Sequence, residues 1–328
     1  MSFNQFVLKE QYKKVRGLGD RLELMKHEID WQKFVPIVKK VFHDNEITGG
    51  RPHTDEVVIV RILLLQGCYN LSDPELEFQI NDRLSFRNFI GFPDTIPDFS
   101  TIWKIRERLN ESGAKDLIWI ELQRQLDQKG YVIQKGVIQD ATFVESDLGK
   151  KRYAQEKKAK KEGKEVVYTH KQLQHIDKDA KFGVKNNQIH FGYKSHVKTC
   201  VDYTLVREIN VTSANIHDNN IDLCEEDDVA MYRDKGYSGS QLRFANVNDM
   251  TMIRKDKNKE WVQSLNKAIS KIRCVGERPF SVIKEVFKGT STKVKTLARV
   301  HTKELFKYFV YNLYQLVTLT RKKIAIAI

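Results

Sequence analysis

The sequence predicts an α/β (α+β) chain in two parts, a helical N-terminal domain followed by a domain with a mixed sheet flanked by helices. Three observations carry this. Up to Gly130 the apolar residues recur at helical spacing between short turns, whereas beyond it they form extended runs at 131–144, 188–201 and 203–211. A hydrophobic content of 41% over 328 residues is enough for two packed cores. The domains are therefore expected at 1–130 and 131–328.

Each element has a local reason. Trp31, Phe34, Ile37, Val38, Val41 and Phe42 space out a short amphipathic helix, and Gly49, Gly50, Arg51 and Pro52 then break the chain. Thr54, Asp55 and Glu56 cap an apolar helix over 57–67. Asn70, Leu71, Ser72 and Asp73 end it and start the next, with Pro74 in its first turn. A helix near 85–90 stops at Gly91. Asp98 or Ser100 caps the one carrying Trp103, Ile105 and Leu109, and 115–129 completes the helical half. In the second half the last two extended runs are hairpin-joined at Val201 and Asp202. Then follow a helix near 217–226, a strand at 228–234, a helix at 238–246, a short strand at 250–254, and helices at 262–288 and 301–319. The lysine-rich stretch from Lys150 to Lys164 lies in a segment of about 148–186 that reads as a mobile basic loop. It is either a solvated insertion or a phosphate-binding arm that orders on DNA.

Net charge narrows the partners. A formal charge of +13 and a pI near 9.4 imply an anionic partner, and double-stranded DNA suits them best. Cys68, Cys200, Cys224 and Cys274 stand far apart without CxxC pairing, as buried thiols of a reducing compartment do. There is no apolar run of membrane-spanning length, and Met1, Ser2, Phe3, Asn4 and Gln5 do not form a charged leader. A cytoplasmic, nucleoid-associated protein is expected.

Three carboxylates stand out. Asp140 interrupts an apolar strand, where an isolated charge is costly unless it meets a cation. Asp234 falls where a second strand breaks into Lys235, Gly236 and Tyr237. Glu277 lies in the 262–288 helix, and at roughly 100° per residue Arg273 and Lys284 fall within about 40° of it. Converging at one sheet edge, the three would supply the oxygen ligands Mg²⁺ prefers, with Arg273 and Lys284 holding a phosphodiester. Pro279 should kink the helix beside Glu277. Glu145, an odd number of residues from Asp140, should face the other side of the strand, and Asp147 lies where that strand ends. The acidic cluster 225–228 reads as a solvated helix end. His190 and His196, six apart on one strand, should share a face in a structural or DNA-facing role, and His217 sits at a helix start.

These residues resemble a DDE transposase of a bacterial insertion sequence, most similar to the insertion-sequence-five group. The likeness runs along most of the chain: Gly50-Arg51-Pro52, Tyr69-Asn70-Leu71-Ser72-Asp73, Pro97-Asp98-Phe99-Ser100-Thr101, Asp140-Ala141-Thr142, His190-Phe191-Gly192-Tyr193-Lys194 and Asp234-Lys235-Gly236-Tyr237. Its most specific element is the spacing of Arg273, Glu277 and Lys284, continued by Arg278-Pro279-Phe280. Ser270 stands where that signature often begins with Tyr, and Arg233 where a small residue commonly precedes the second Asp. The resemblance implies a ribonuclease H-like catalytic domain and Mg²⁺, replaceable by Mn²⁺, at Asp140, Asp234 and Glu277. It also implies cleavage at element ends, then joining of the freed 3′-hydroxyl to target DNA by a dimer or larger assembly. Helices between 50 and 128 would help to recognise the ends. A transposase-derived DNA-binding protein and a metal-dependent nuclease are the alternatives.

Overall fold

The computed structural model describes residues 3–42, 53–185, 187–255 and 258–327. The turn at Gly49, Gly50, Arg51 and Pro52 lies outside them. The N-terminal helices are α1 (Phe3–Gly17), α2 (Arg21–Lys26), α3 (Val35–Lys39), α4 (Glu56–Tyr69), α5 (Asp73–Asp82), α6 (Leu84–Ile90), α7 (Phe99–Glu111) and α8 (Ala114–Gln128), with a 3₁₀ turn, Trp31–Phe34, leading into α3. Their starts are set by side chains that accept orphan N–H groups: Asp20 for α2, Asp55 for α4, Ser72 for α5 and Asp98 for α7. Helix α4 is apolar on every side and buried from Val57 to Cys68 apart from Arg61, as the central helix of a bundle must be.

The second half contains β1 (Val137–Glu145), α9 (Lys150–Lys161), α10 (His170–Leu173), β2 (Lys181–Lys185), β3 (Gln188–Cys200), β4 (Val206–Ser213), β5 (Ala230–Arg233), β6 (Asn248–Thr251), α11 (Glu260–Arg273), α12 (Glu277–Ser281) and α13 (Leu297–Ala327). Strand β3 pairs antiparallel with β1 on one side and with β2 and β4 on the other, while β5 runs parallel to β1 and β6 parallel to β5. Antiparallel strands leading into a parallel pair make the mixed sheet of a ribonuclease H-like domain. The parallel pairing of β1 with β5 is brief, joining only Val137 to Met231 and Ile138 to Tyr232.

By packing, the chain divides into one unit of Met1–Val132, Glu285–Gly289 and Thr302–Ile328, and another of Ile133–Lys284 and Thr290–His301. The C-terminal helix thus leaves the 131–328 grouping and joins the N-terminal helices. Within that first unit a Cβ added at Gly67 would lie 3.0 Å from the Lys307 backbone, so the two helices meet almost backbone to backbone. Phe34 packs on Phe309 at 5.7 Å between ring centroids, and Arg21 lies 4.4 Å above the Tyr314 ring.

Several local expectations change. The basic run is helix α9, not a loop. The helix expected at 217–226 shrinks to a 3₁₀ turn, Asp218–Asn220, capped by His217. Asp228 turns inward to the buried Lys198, which Glu225 also meets, so that cluster is not simply a solvated helix end. Residues 238–246 form no helix because side chains claim their backbone groups. The Arg233 guanidinium donates to the Ser240 carbonyl at 3.3 Å, and the Arg243 N–H donates to Asp222 at 2.6 Å.

In β3, Gly192 has a φ of +145°, which suits glycine, and a Cβ there would collide with the Val144 carbonyl oxygen. His190 and His196 share a face, as their even spacing predicts, on the side of β1 that carries Phe143 and Ala141, but they differ in burial. His196 is fully buried, with its Nε2 2.9 Å from the Thr212 hydroxyl. Burial depresses its pKa from 6.5 to about 4, Asp218 opposing and Lys194 adding to the effect. A neutral buried imidazole stabilises the fold fully above about pH 6.5, and this is lost as pH falls toward 4, where only the unfolded chain binds the proton. Over that window wild type should lose up to about 3 kcal/mol more stability than His196→Asn; urea melts giving parallel pH profiles would contradict this.

Candidate active site

The parting of β1 and β5 builds the site. Their last paired residues are Ile138 and Tyr232, and Asp140 and Asp234 each stand two residues further along their own chains. The two carboxylates therefore stand at the same level just past the last parallel pair, Asp140 still within β1 and paired with Val197 of β3, Asp234 one residue past the end of β5. Asp234 caps the 3₁₀ turn Lys235–Tyr237, its Oδ1 accepting the Gly236 N–H at 2.7 Å. Beyond the gap, β1 is tied again where the Glu145 N–H donates to Thr290 at 2.9 Å and the Thr292 N–H donates to Glu145 at 2.8 Å.

Glu277 reaches this place by a broken helical path. Helix α11 ends at Arg273, a 3₁₀ turn covers Cys274–Gly276, α12 starts at Glu277, and Val282–Val286 forms a π turn. One uniform helix over 262–288 is thus corrected, and a constant 100° step does not describe it. Pro279 lies in the first turn of α12, where a missing N–H costs little. A Cβ at Gly276 would come 2.8 Å from the Ile138 Cγ2, so the helical segment presses onto β1 at the last paired residue.

Asp140 and Glu277 line one cleft of about 660 Å³, together with Lys185, Lys284, Glu145 and His190. Asp234 is not among its lining side chains, but its charge is felt there. The Asp140 carboxyl is pushed above the usual carboxylate range by burial. The Arg273 guanidinium opposes that shift, as does the Ala141 N–H, and Asp234 adds to it. Arg273 donates from Nη2 to Asp140 at 2.8 Å. Its Nη1 lies 3.9 Å from the Met252 sulfur, and its buried Nε has no acceptor among the described residues. Arg233 serves structure instead, buried and donating to Thr251 at 2.8 Å and Asp249 at 3.1 Å.

Sequence reasoning missed two residues of this cleft. Glu145 lies on the far side of β1 from Asp140, as parity predicts, and there meets His190 Nδ1 at 2.5 Å, while His190 stacks on Phe143 at 4.0 Å between centroids. The cleft follows the edge of β1 and takes in side chains of both faces, which alternation along a strand does not reveal.

Family profiles match along the chain: a transposase domain, DUF772, over residues 9–108, and a transposase DDE domain over residues 134–313. The chain belongs to the DDE transposase family. No solved structure matches it. Membership makes this chain a DNA transposase by kind and accords with its ribonuclease H-like sheet. Among the described residues no helix is long and apolar enough to cross a membrane.

A divalent cation fits the residues by donor type, since Asp140, Asp234 and Glu277 offer only oxygen, and by the repulsion between Asp140 and Asp234 that a cation would relieve. Among the described residues, however, no three His, Cys, Asp or Glu side chains converge closely enough to hold one. Binding is open to a test that needs no DNA. At Mg²⁺ one hundred times its dissociation constant, unfolding of the transposase should cost about 2.7 kcal/mol more. Asp140→Asn should remove most of that gain in a thermal melt; an undiminished gain would place the cation elsewhere.

Proposed function

We propose that this transposase cuts DNA at the ends of an insertion sequence of the insertion-sequence-five group and joins the freed 3′-hydroxyl to target DNA. The observation that carries this reading is the half-buried Asp140 carboxyl opening, at the parting of β1 and β5, onto a cleft that Glu277 and Lys284 also line. Asp140, Asp234 and Glu277 would hold Mg²⁺, with Mn²⁺ able to substitute. The ion supplies charge stabilisation at phosphorus and an activated attacking oxygen.

The protein's own groups do the rest. Arg273 orients the Asp140 carboxylate and keeps its Nε–H for an acceptor, while Lys284, exposed on the π turn, meets a phosphate as a point charge. Helix α9, bearing Lys157, Lys158, Lys160 and Lys161, adds a sequence-independent phosphate contact. The N-terminal helical domain reads the element's ends and supports a dimer or larger assembly on DNA, and the protein works on the nucleoid in the cytoplasm.

Labelled element ends incubated with a target plasmid separate transposition from its alternatives. Wild type should cleave and join; cleavage alone marks a nuclease, and binding alone a DNA-binding derivative. Asp140→Asn, Asp234→Asn and Glu277→Gln should each lower cleavage at least about 100-fold, a loss of roughly 3 kcal/mol in transition-state stabilisation. Lys284→Ala should slow both steps and Lys284→Arg partly restore them. A purified carboxylate variant with wild-type cleavage would remove that residue from the site.

A further inference from the structure

The cleft holds a second arrangement that the carboxylates do not explain. His190 is fixed on two sides: its Nδ1 meets Glu145 at 2.5 Å, and its ring lies on Phe143 at 11° between planes. Glu145 is itself anchored, its Oε2 accepting the Phe191 N–H at 3.3 Å. The Phe143 ring also carries the Lys194 ammonium, 5.3 Å from its centroid, and Lys194 is held by Asp218 at 2.9 Å and by the Ile216 carbonyl at 2.8 Å. Alternation along β3 places His190 on the Phe143 face while Phe191 and Tyr193 enter the core. A surface histidine serving only as packing needs neither an oriented ring nor an anchored carboxylate. The arrangement leaves Nε2 as the ring nitrogen not engaged by Glu145, on a side chain that lines the cleft.

Distance decides which atom of a substrate His190 can meet. Phe143 is three residues from Asp140, about 10 Å along a strand, whereas a group acting on the reacting phosphate must lie about 3 Å from it. We infer that His190, oriented by Glu145, holds a phosphate of the DNA strand flanking the scissile one, through Nε2–H as a charged donor. This rests on the proposed action on DNA, and makes His190 a positioning residue. A Glu145 carboxylate on Nδ1 fixes the ring, and the imidazolium is the only form that donates from both nitrogens. The other charged side chains of the cleft are Asp140, Lys185, Glu277 and Lys284, and Lys194 lies over the Phe143 ring on which the imidazole stacks.

The test is binding without cleavage. In an Asp140→Asn background, the affinity for a fluorescently labelled duplex of mixed sequence is measured against salt near pH 6, where an imidazole carries charge. His190→Gln should reduce the magnitude of the log–log salt slope by about 0.9, so that its affinity deficit narrows about 3.5-fold between 50 and 200 mM salt. Folding is checked by circular dichroism and melting temperature, and a merely structural role would leave the slope unmoved. Glu145→Gln removes a negative charge, which alone would tighten DNA binding; it is expected to weaken it. An unchanged slope in His190→Gln, or tighter binding by Glu145→Gln, overturns the inference while the background protein still binds DNA. Failure of the background protein to bind any duplex would instead defeat the proposed function on which this rests.

Discussion

Two parallel strands that separate after a single pair of steps are the constraint from which the site follows. Had β1 and β5 stayed paired past Ile138 and Tyr232, Asp140 would sit inside a continuous ladder, flanked on both sides by backbone. Because they part, the edge of β1 beyond Ile138 faces a cleft, and Asp140, still paired with β3, stands level with Asp234 beyond the end of β5. Gly276 against Ile138 then brings the start of α12, and with it Glu277, to the same edge.

That arrangement places like charges near one another in a partly dry setting, which opposes folding unless something offsets it. Arg273 is the offset within the chain, and its hold on Asp140 is only partial, since burial still raises the Asp140 carboxyl. A guanidinium is always charged and can serve one carboxylate with one nitrogen while offering others to a phosphate. The same residue thus offsets part of the charge in the folded site while its Nε keeps no acceptor among the described residues.

Much of this was legible in the residues, for identifiable reasons. Asp140 could be singled out because a charge within an apolar strand is conspicuous, and Asp55 and Asp98 because a capping side chain is local chemistry. What escaped depends on contacts distant in sequence. Helix α13 shows its period but not that Lys307 would lie against Gly67. Residues 238–246 have a helical pattern that Arg233 and Asp222 override through the backbone. Glu145 and His190 keep the face that strand parity gives them, but the cleft at the edge of β1 takes in both faces, because a carboxylate's environment depends on where its neighbour strand stops as much as on its own period.

The central claim is that the divergence of β1 and β5 creates a cation site on Asp140 and Asp234 that Arg273 only partly neutralises. Anomalous diffraction from crystals grown with Mn²⁺ addresses it most directly. The account predicts a manganese peak bonded to carboxylate oxygens of both Asp140 and Asp234, about 2.0–2.2 Å from each as for small hard cations. Absence of any peak there at saturating Mn²⁺, with Arg273 still on Asp140, would contradict it.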